Sequence, residues 1–92
     1  MAFSLDVTIP DVEYRAMRSG TGKRGLWMSL VWEDKSANQI ETSVPAEMQS
    51  DVMGLGLSKG DRCVVSIRAV ARADGNSYVM LQALPELMDE EE

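Results

Sequence analysis

Arg15-Ala-Met-Arg-Ser-Gly-Thr-Gly-Lys-Arg-Gly-Leu-Trp-Met-Ser-Leu-Val-Trp32 holds four of the nine basic residues, three of the seven glycines and both tryptophans. It reads as a strand that runs out into a basic, glycine-rich tip and returns as a strand carrying aromatic residues. Arg18-Ser-Gly-Thr-Gly-Lys-Arg-Gly25 is the expected flexible tip, since glycines permit positive φ and tight reversal. On the return strand, Leu26, Met28, Leu30 and Trp32 fall on one wholly apolar face, which predicts the core side. Trp27, Ser29 and Val31 then point the other way, with Trp27 beside the basic tip. Cations next to exposed ring faces are what single-stranded nucleic acid uses: phosphates meet the first and unstacked bases lie on the second. An ordinary hairpin with a solvated charged turn fits the same letters, because stacking rings and packed rings look alike in sequence. A phosphate-loop reading fails, since Gly22-Lys23 is followed by Arg24 and no glycine stands five residues before Gly22.

Outward toward the N-terminus, Phe3, Leu5, Val7 and Ile9 alternate with Ser4, Asp6 and Thr8, the period of a half-buried strand. Pro10-Asp11 interrupts it, and Val12, Tyr14 and Ala16 resume it, so one long, kinked first strand is expected. Toward the C-terminus, Glu33–Asn38 is a polar turn and Gln39–Val44 a third strand. Pro45–Met53 reads as a short helix, with proline suited to the first helical position and Glu47 to the first turn. Gly54 and Gly56 end it. Arg62–Arg72 is strongly β-prone, with Cys63, Val65, Ile67 and Ala69 on one face and Arg62 and Arg68 on the other. Cross-strand pairing of these arginines with Glu41 or Asp6 is the structural alternative to a binding role. Ala73-Asp-Gly-Asn76 is a hairpin turn, and Ser77–Leu84 the last strand, apolar on both faces.

Composition narrows the function. Ninety-two residues make one domain, able to bury roughly 60–65% of its unfolded surface. No apolar run reaches the roughly 20 residues of a membrane span. The first residues lack the charged and apolar regions of a signal peptide, so a cytoplasmic protein is expected. The single cysteine, Cys63, suits a reducing compartment. The absence of histidine removes the usual general base and commonest metal ligand, so neither an enzyme nor a metal or other cofactor is expected. The net charge of −6 is unevenly placed: Glu86–Glu92 carries five acids and no base, which leaves ten acids against nine bases, or −1, in residues 1–85. Residues 1–85 are therefore expected as the folded domain and 86–92 as a disordered acidic tail, with the last strand ending at Pro85.

Strand, strand, strand, helix, strand, strand is the order of an all-β, five-stranded Greek-key barrel of the OB type, with one short helix between its third and fourth strands. Such barrels commonly bind oligonucleotides or oligosaccharides on strands two and three and the neighbouring loops. Arg18-Ser-Gly20 before the basic wing, Trp27-Met-Ser-Leu30, Gly60-Asp-Arg-Cys-Val-Val65 and Asp74-Gly75 together resemble small phage single-stranded-DNA-binding proteins, loosely the gene V type of filamentous phages, over about residues 5–85. The resemblance implies a symmetric homodimer acting in DNA replication or recombination. It implies wing contacts to DNA by Arg15, Arg18, Lys23, Arg24 and Trp27, and sheet contacts by Arg68 and Tyr78. The acidic tail departs from that pattern. It is similar to the tails of bacterial and other phage single-stranded-DNA-binding proteins, which recruit replication or repair proteins and compete with DNA, but lacks their apolar end. A protein-interaction module, or an acidic DNA-mimicking inhibitor, is the other reading open at this point.

Overall fold

A computed structural model describes residues 3–88. The N-terminal alternation becomes one strand of 20 residues, β1 (Phe3–Gly22). Its first half pairs antiparallel with β4 (Arg62–Ala71) and its second half with β2 (Gly25–Glu33). It thus crosses from one side of the molecule to the other. Two irregularities allow this. The register slips between Ile9 and Val12, where Pro10 has no N–H to give to a ladder. It slips again between Tyr14 and Ala16, leaving Arg15 as the extra residue of a bulge.

That second slip corrects the expected alternation. Val12 and Tyr14 are buried, but Ala16 is exposed. Past the bulge the odd residues take the core side, so Met17 faces Leu30 across the ladder. Arg18 and Gly20 are turned onto the outer face.

β3 (Gln39–Ser43) pairs antiparallel with β2, and β5 (Ser77–Leu81) antiparallel with β4. A parallel bridge at Ser43 and Met80 joins β3 to β5. The ring β1–β2–β3–β5–β4–β1 is therefore closed, giving the expected OB-like barrel. The helical segment lies between β3 and β4 but is broken in two. Ala46–Met48 is a 3-10 turn, and α1 spans Gln49–Gly54. Pro45, with ψ 149°, stays outside the helix. Gly56, at φ 63°, ends the segment in the left-handed region that glycine tolerates.

Val52 of α1 plugs the barrel against Leu30, Trp32, Val44, Val65, Leu81 and the rest of the core. Trp32 is fully buried, meets Tyr14 edge-to-face at 5.6 Å, and donates its indole N–H to Thr42 Oγ1 at 3.1 Å. A buried indole with its one donor satisfied is the arrangement that costs least.

Two expectations need correction. Phe3, Leu5 and Val7 lie on the same side of the sheet as their β4 partners Ala71, Ala69 and Ile67, as the pattern implied. Yet they are exposed, Phe3 at 64%. Here β1 pairs with β4 alone, beyond the stretch where it pairs with β2. Second, the sheet does not end at Pro85. Pro85 is buried, and Glu86–Leu87 forms β6, paired antiparallel with Val64 and Cys63. β5 reaches only Ile67–Ala71 of β4, so the start of β4 has an open edge that β6 fills. The disorder expected from Glu86 onward does not hold for Glu86 and Leu87. The remaining acids of that expected tail, residues 89–92, lie outside the described residues. Among the described residues no helix is long and apolar enough to cross a membrane.

Candidate nucleic-acid interface

The basic wing is shorter and better ordered than a flexible tip of eight residues. The β1–β2 ladder continues to Gly22 and Gly25, which leaves only Lys23 and Arg24 in the turn. Gly25 has φ 107° while neither turn residue has positive φ, the pattern of a type I turn closed by a left-handed glycine. Lys23 and Arg24 are exposed and have no ion-pair partner among the described residues.

Trp27 sits directly across from Gly20. Its indole lies over that glycine: a Cβ added at position 20 would stand 2.8 Å from Cζ2, and one at position 22 would stand 3.6 Å from Cδ1. The missing side chain at 20 makes the bed on which the ring rests, as cross-strand aromatics do over sheet glycines, while a Cβ at 22 would only touch the ring at ordinary contact distance. Trp27 nonetheless keeps 46% of its surface exposed. The ring is held in place without being covered, next to the two turn cations.

A single register row runs across the outer face from there. Arg18 opposes Ser29, Ser29 opposes Ser43, Ser43 opposes Met80, Met80 opposes Arg68, and Arg68 opposes Asp6. From Arg18 to Arg68 is four strand spacings, roughly 19 Å measured around the sheet. Both arginines carry carboxylates. Arg18 Nη1 donates to Glu41 Oε1 at 3.1 Å and Oε2 at 3.3 Å, and the Ser29 hydroxyl donates to Glu41 Oε2 at 2.6 Å. Arg68 Nε donates to Asp6 Oδ1 at 2.8 Å. That bond, with a further one from Gln82, holds the Asp6 carboxyl below its ordinary pKa.

Tyr78 lies on the same outer face, two residues before Met80. The Arg72 guanidinium stands over its ring at 5.2 Å, a cation–π contact. Tyr78, Val70 and Glu41 border a shallow groove of about 400 Å³ whose other wall comes from the apolar side, from Phe3, Leu5 and Val79.

The structure thus gathers Arg18, Lys23, Arg24 and Trp27 on one hairpin and sets Arg68 and Tyr78 farther round the same face. Arg15 is not among them. It sits in the β1 bulge with its Nη1 on Glu13 Oε2 at 3.0 Å, beside Arg62 and Lys35, both of which pair with Asp11. Glu41, Ser29 and Arg72 are the members of the face that the sequence did not single out as binding residues. Ser29 shares the alternation of Trp27 and was legible in principle. Glu41 meets Arg18 only through the β2–β3 register, for which there is no local signal. Among the described residues no group of three or more Asp, Glu or Cys is placed to hold a metal ion. Comparison with known protein families, with curated proteins and with solved structures finds no match.

Proposed function

We propose that the protein binds single-stranded DNA with little sequence preference, through the β1–β2 wing and the outer face of the barrel. The observation that carries this reading is the half-exposed indole of Trp27, fixed on Gly20 beside Lys23 and Arg24. Such a ring offers a stacking surface worth roughly 1–3 kcal/mol per base, and every base has a face to stack. The turn cations supply the phosphate attraction. The wing is the first loop of an OB-type barrel and Arg72–Asn76 the last, the two loops that flank the usual oligonucleotide surface of such barrels. By the family resemblance noted above, the proposed setting is phage DNA replication or recombination in the cytoplasm, with replication or repair proteins recruited through the acidic C-terminus.

Fluorescence titration with an oligo-dT across a salt series tests the reading. Binding quenches Trp27, and log affinity falls against log salt with a slope of about −0.7 per phosphate neutralised. No quenching and no binding at low salt would end it.

A homodimer belongs to the same proposal. Exposed Phe3, Leu5 and Val7 continue the apolar side of β4, and the other edge of β1 over Phe3–Ile9 is unpaired among the described residues. Strand edges of this kind pair with their own copies unless covered. Solution mass with and without oligo-dT reads the stoichiometry; a monomer at all concentrations removes the dimer and leaves the DNA reading.

The pairing of Arg15, Arg18 and Arg68 with carboxylates favours a second reading, a protein-interaction module or DNA mimic. It requires that no oligonucleotide shift in a mobility assay at low salt, with or without residues 89–92.

A further inference from the structure

Resting on the reading of this face as a DNA surface, we propose that Glu41 and Asp6 are built-in competitors for phosphate, and that DNA binds the outer face by displacing them from Arg18 and Arg68.

The row between the two arginines is otherwise uncharged: Ser29, Ser43 and Met80. Its cations are therefore its two ends, and each end is already occupied by an anion. Glu41 presents both oxygens to Arg18 and takes a third hydrogen bond from Ser29. Asp6 presents both oxygens to Arg68, to Nε at 2.8 Å and Nη2 at 3.4 Å. A guanidinium offers the same forked donors to a carboxylate and to a phosphate. A phosphate arriving at either end would take up bonds that the carboxylate gives back to water.

Exposure makes that exchange inexpensive. In both pairs the side chains are 44–60% exposed. Exposed pairs of this kind are weakly held and screened by salt. The contrast is Arg62 with Asp11, whose side chains are 34% and 22% exposed and which ties β4 to the β1 kink. That pair is part of the frame. Lys23 and Arg24 carry no such cover, so a strand of DNA meets the turn first and opens the row afterwards.

The test uses the full chain and oligo-dT at low salt. E41Q and D6N remove one negative charge each while keeping side-chain shape. D51N removes the same charge from an exposed position of α1 that is not part of the Arg18–Arg68 row, and serves as the control. Each of E41Q and D6N is expected to bind about two- to fivefold tighter than D51N, the range an exposed ion pair is worth. The gain from E41Q is expected to vanish in an R18A background, and thermal midpoints report that each variant is folded. The two substitutions lie on different strands, so either one carries the test if the other fails to fold. If the wild type binds and neither variant exceeds D51N, the carboxylates only orient the arginines; the competitor role falls and the DNA reading stands. If the wild type does not bind at low salt, the DNA reading falls and the competitor role falls with it, even where E41Q binds.

Discussion

The indole of Trp27 lies across Gly20 of the neighbouring strand, so close that any Cβ at position 20 would stand 2.8 Å from the ring. A glycine and a tryptophan seven residues apart in sequence thereby act as one unit. The glycine is required by the ring, and the ring is aimed by the glycine. Gly20 does not have positive φ, so its need is for space rather than for an unusual backbone.

G20A should therefore displace the ring without breaking the strand. A Cβ at that distance cannot coexist with the indole in its present position. The expected outcome is a shift in tryptophan emission, weaker quenching by oligo-dT, and a thermal midpoint close to that of the wild type. Unchanged emission and quenching would show that the ring does not need its bed.

The two tryptophans should behave oppositely. W27A is expected to cost roughly 1–3 kcal/mol of binding to oligo-dT, the value of one stacked base. Its folding stability should change little. W32A should cost about 3–5 kcal/mol of stability, because Trp32 is fully buried in the barrel. Denaturant melts and titrations on both variants check the split. A W27A variant that loses stability but not affinity would place the ring in the frame and not in the site.

Where the chain is cut at its C-terminus should matter. Removing residues 89–92 leaves β6 on β4 and takes away four acids. That truncation is expected to keep the thermal midpoint and to tighten oligo-dT binding at low salt. Removing 86–92 also strips β6 from the open edge of β4, where Met88 N–H bonds to Arg62 O at 2.9 Å. That longer truncation should melt earlier. Equal affinities for the full chain and the shorter truncation would show that the acids do not compete with DNA.

Acid should loosen the molecule in a defined window. The carboxyls of Asp6, Asp11, Asp34 and Asp74 are all held below the ordinary value of 3.8. The causes are bonds from Arg68, from Arg62 and from the backbone of Asn38 and Asn76 respectively. A depressed pKa in the folded state means that the unfolded chain binds more protons as pH falls. The stability these groups supply is fully present above about pH 4–5 and is lost as pH falls through their folded-state values, below the 3.8 reference. Thermal midpoints should hold from neutral pH down to about that point and then drop. D11N should flatten part of the drop.

The presence of the strands, of a helical segment between β3 and β4 and of the two glycine-lined turns, and the outward aim of Trp27, follow from local chemistry and are legible in the letters; the phase of β1 past Arg15 and the two-residue length of the wing turn are not. Alternation assigns a residue to a side of a sheet, and proline and glycine mark where a strand bends or reverses. Which side is covered, and by what, is decided only in three dimensions. Phe3, Leu5 and Val7 have a core pattern and stay exposed, on the stretch where β1 pairs with β4 alone. One extra residue at Arg15 flips the alternation after it, carrying Arg18 onto the face with Trp27 and leaving Arg15 with Glu13. Glu86 and Leu87 form a strand because β4 has an edge to fill, and their own letters give no hint of that edge. Glu41 reaches Arg18 from 23 positions away through the β2–β3 register alone. Register is a property of two strands together, so neither segment read singly contains it.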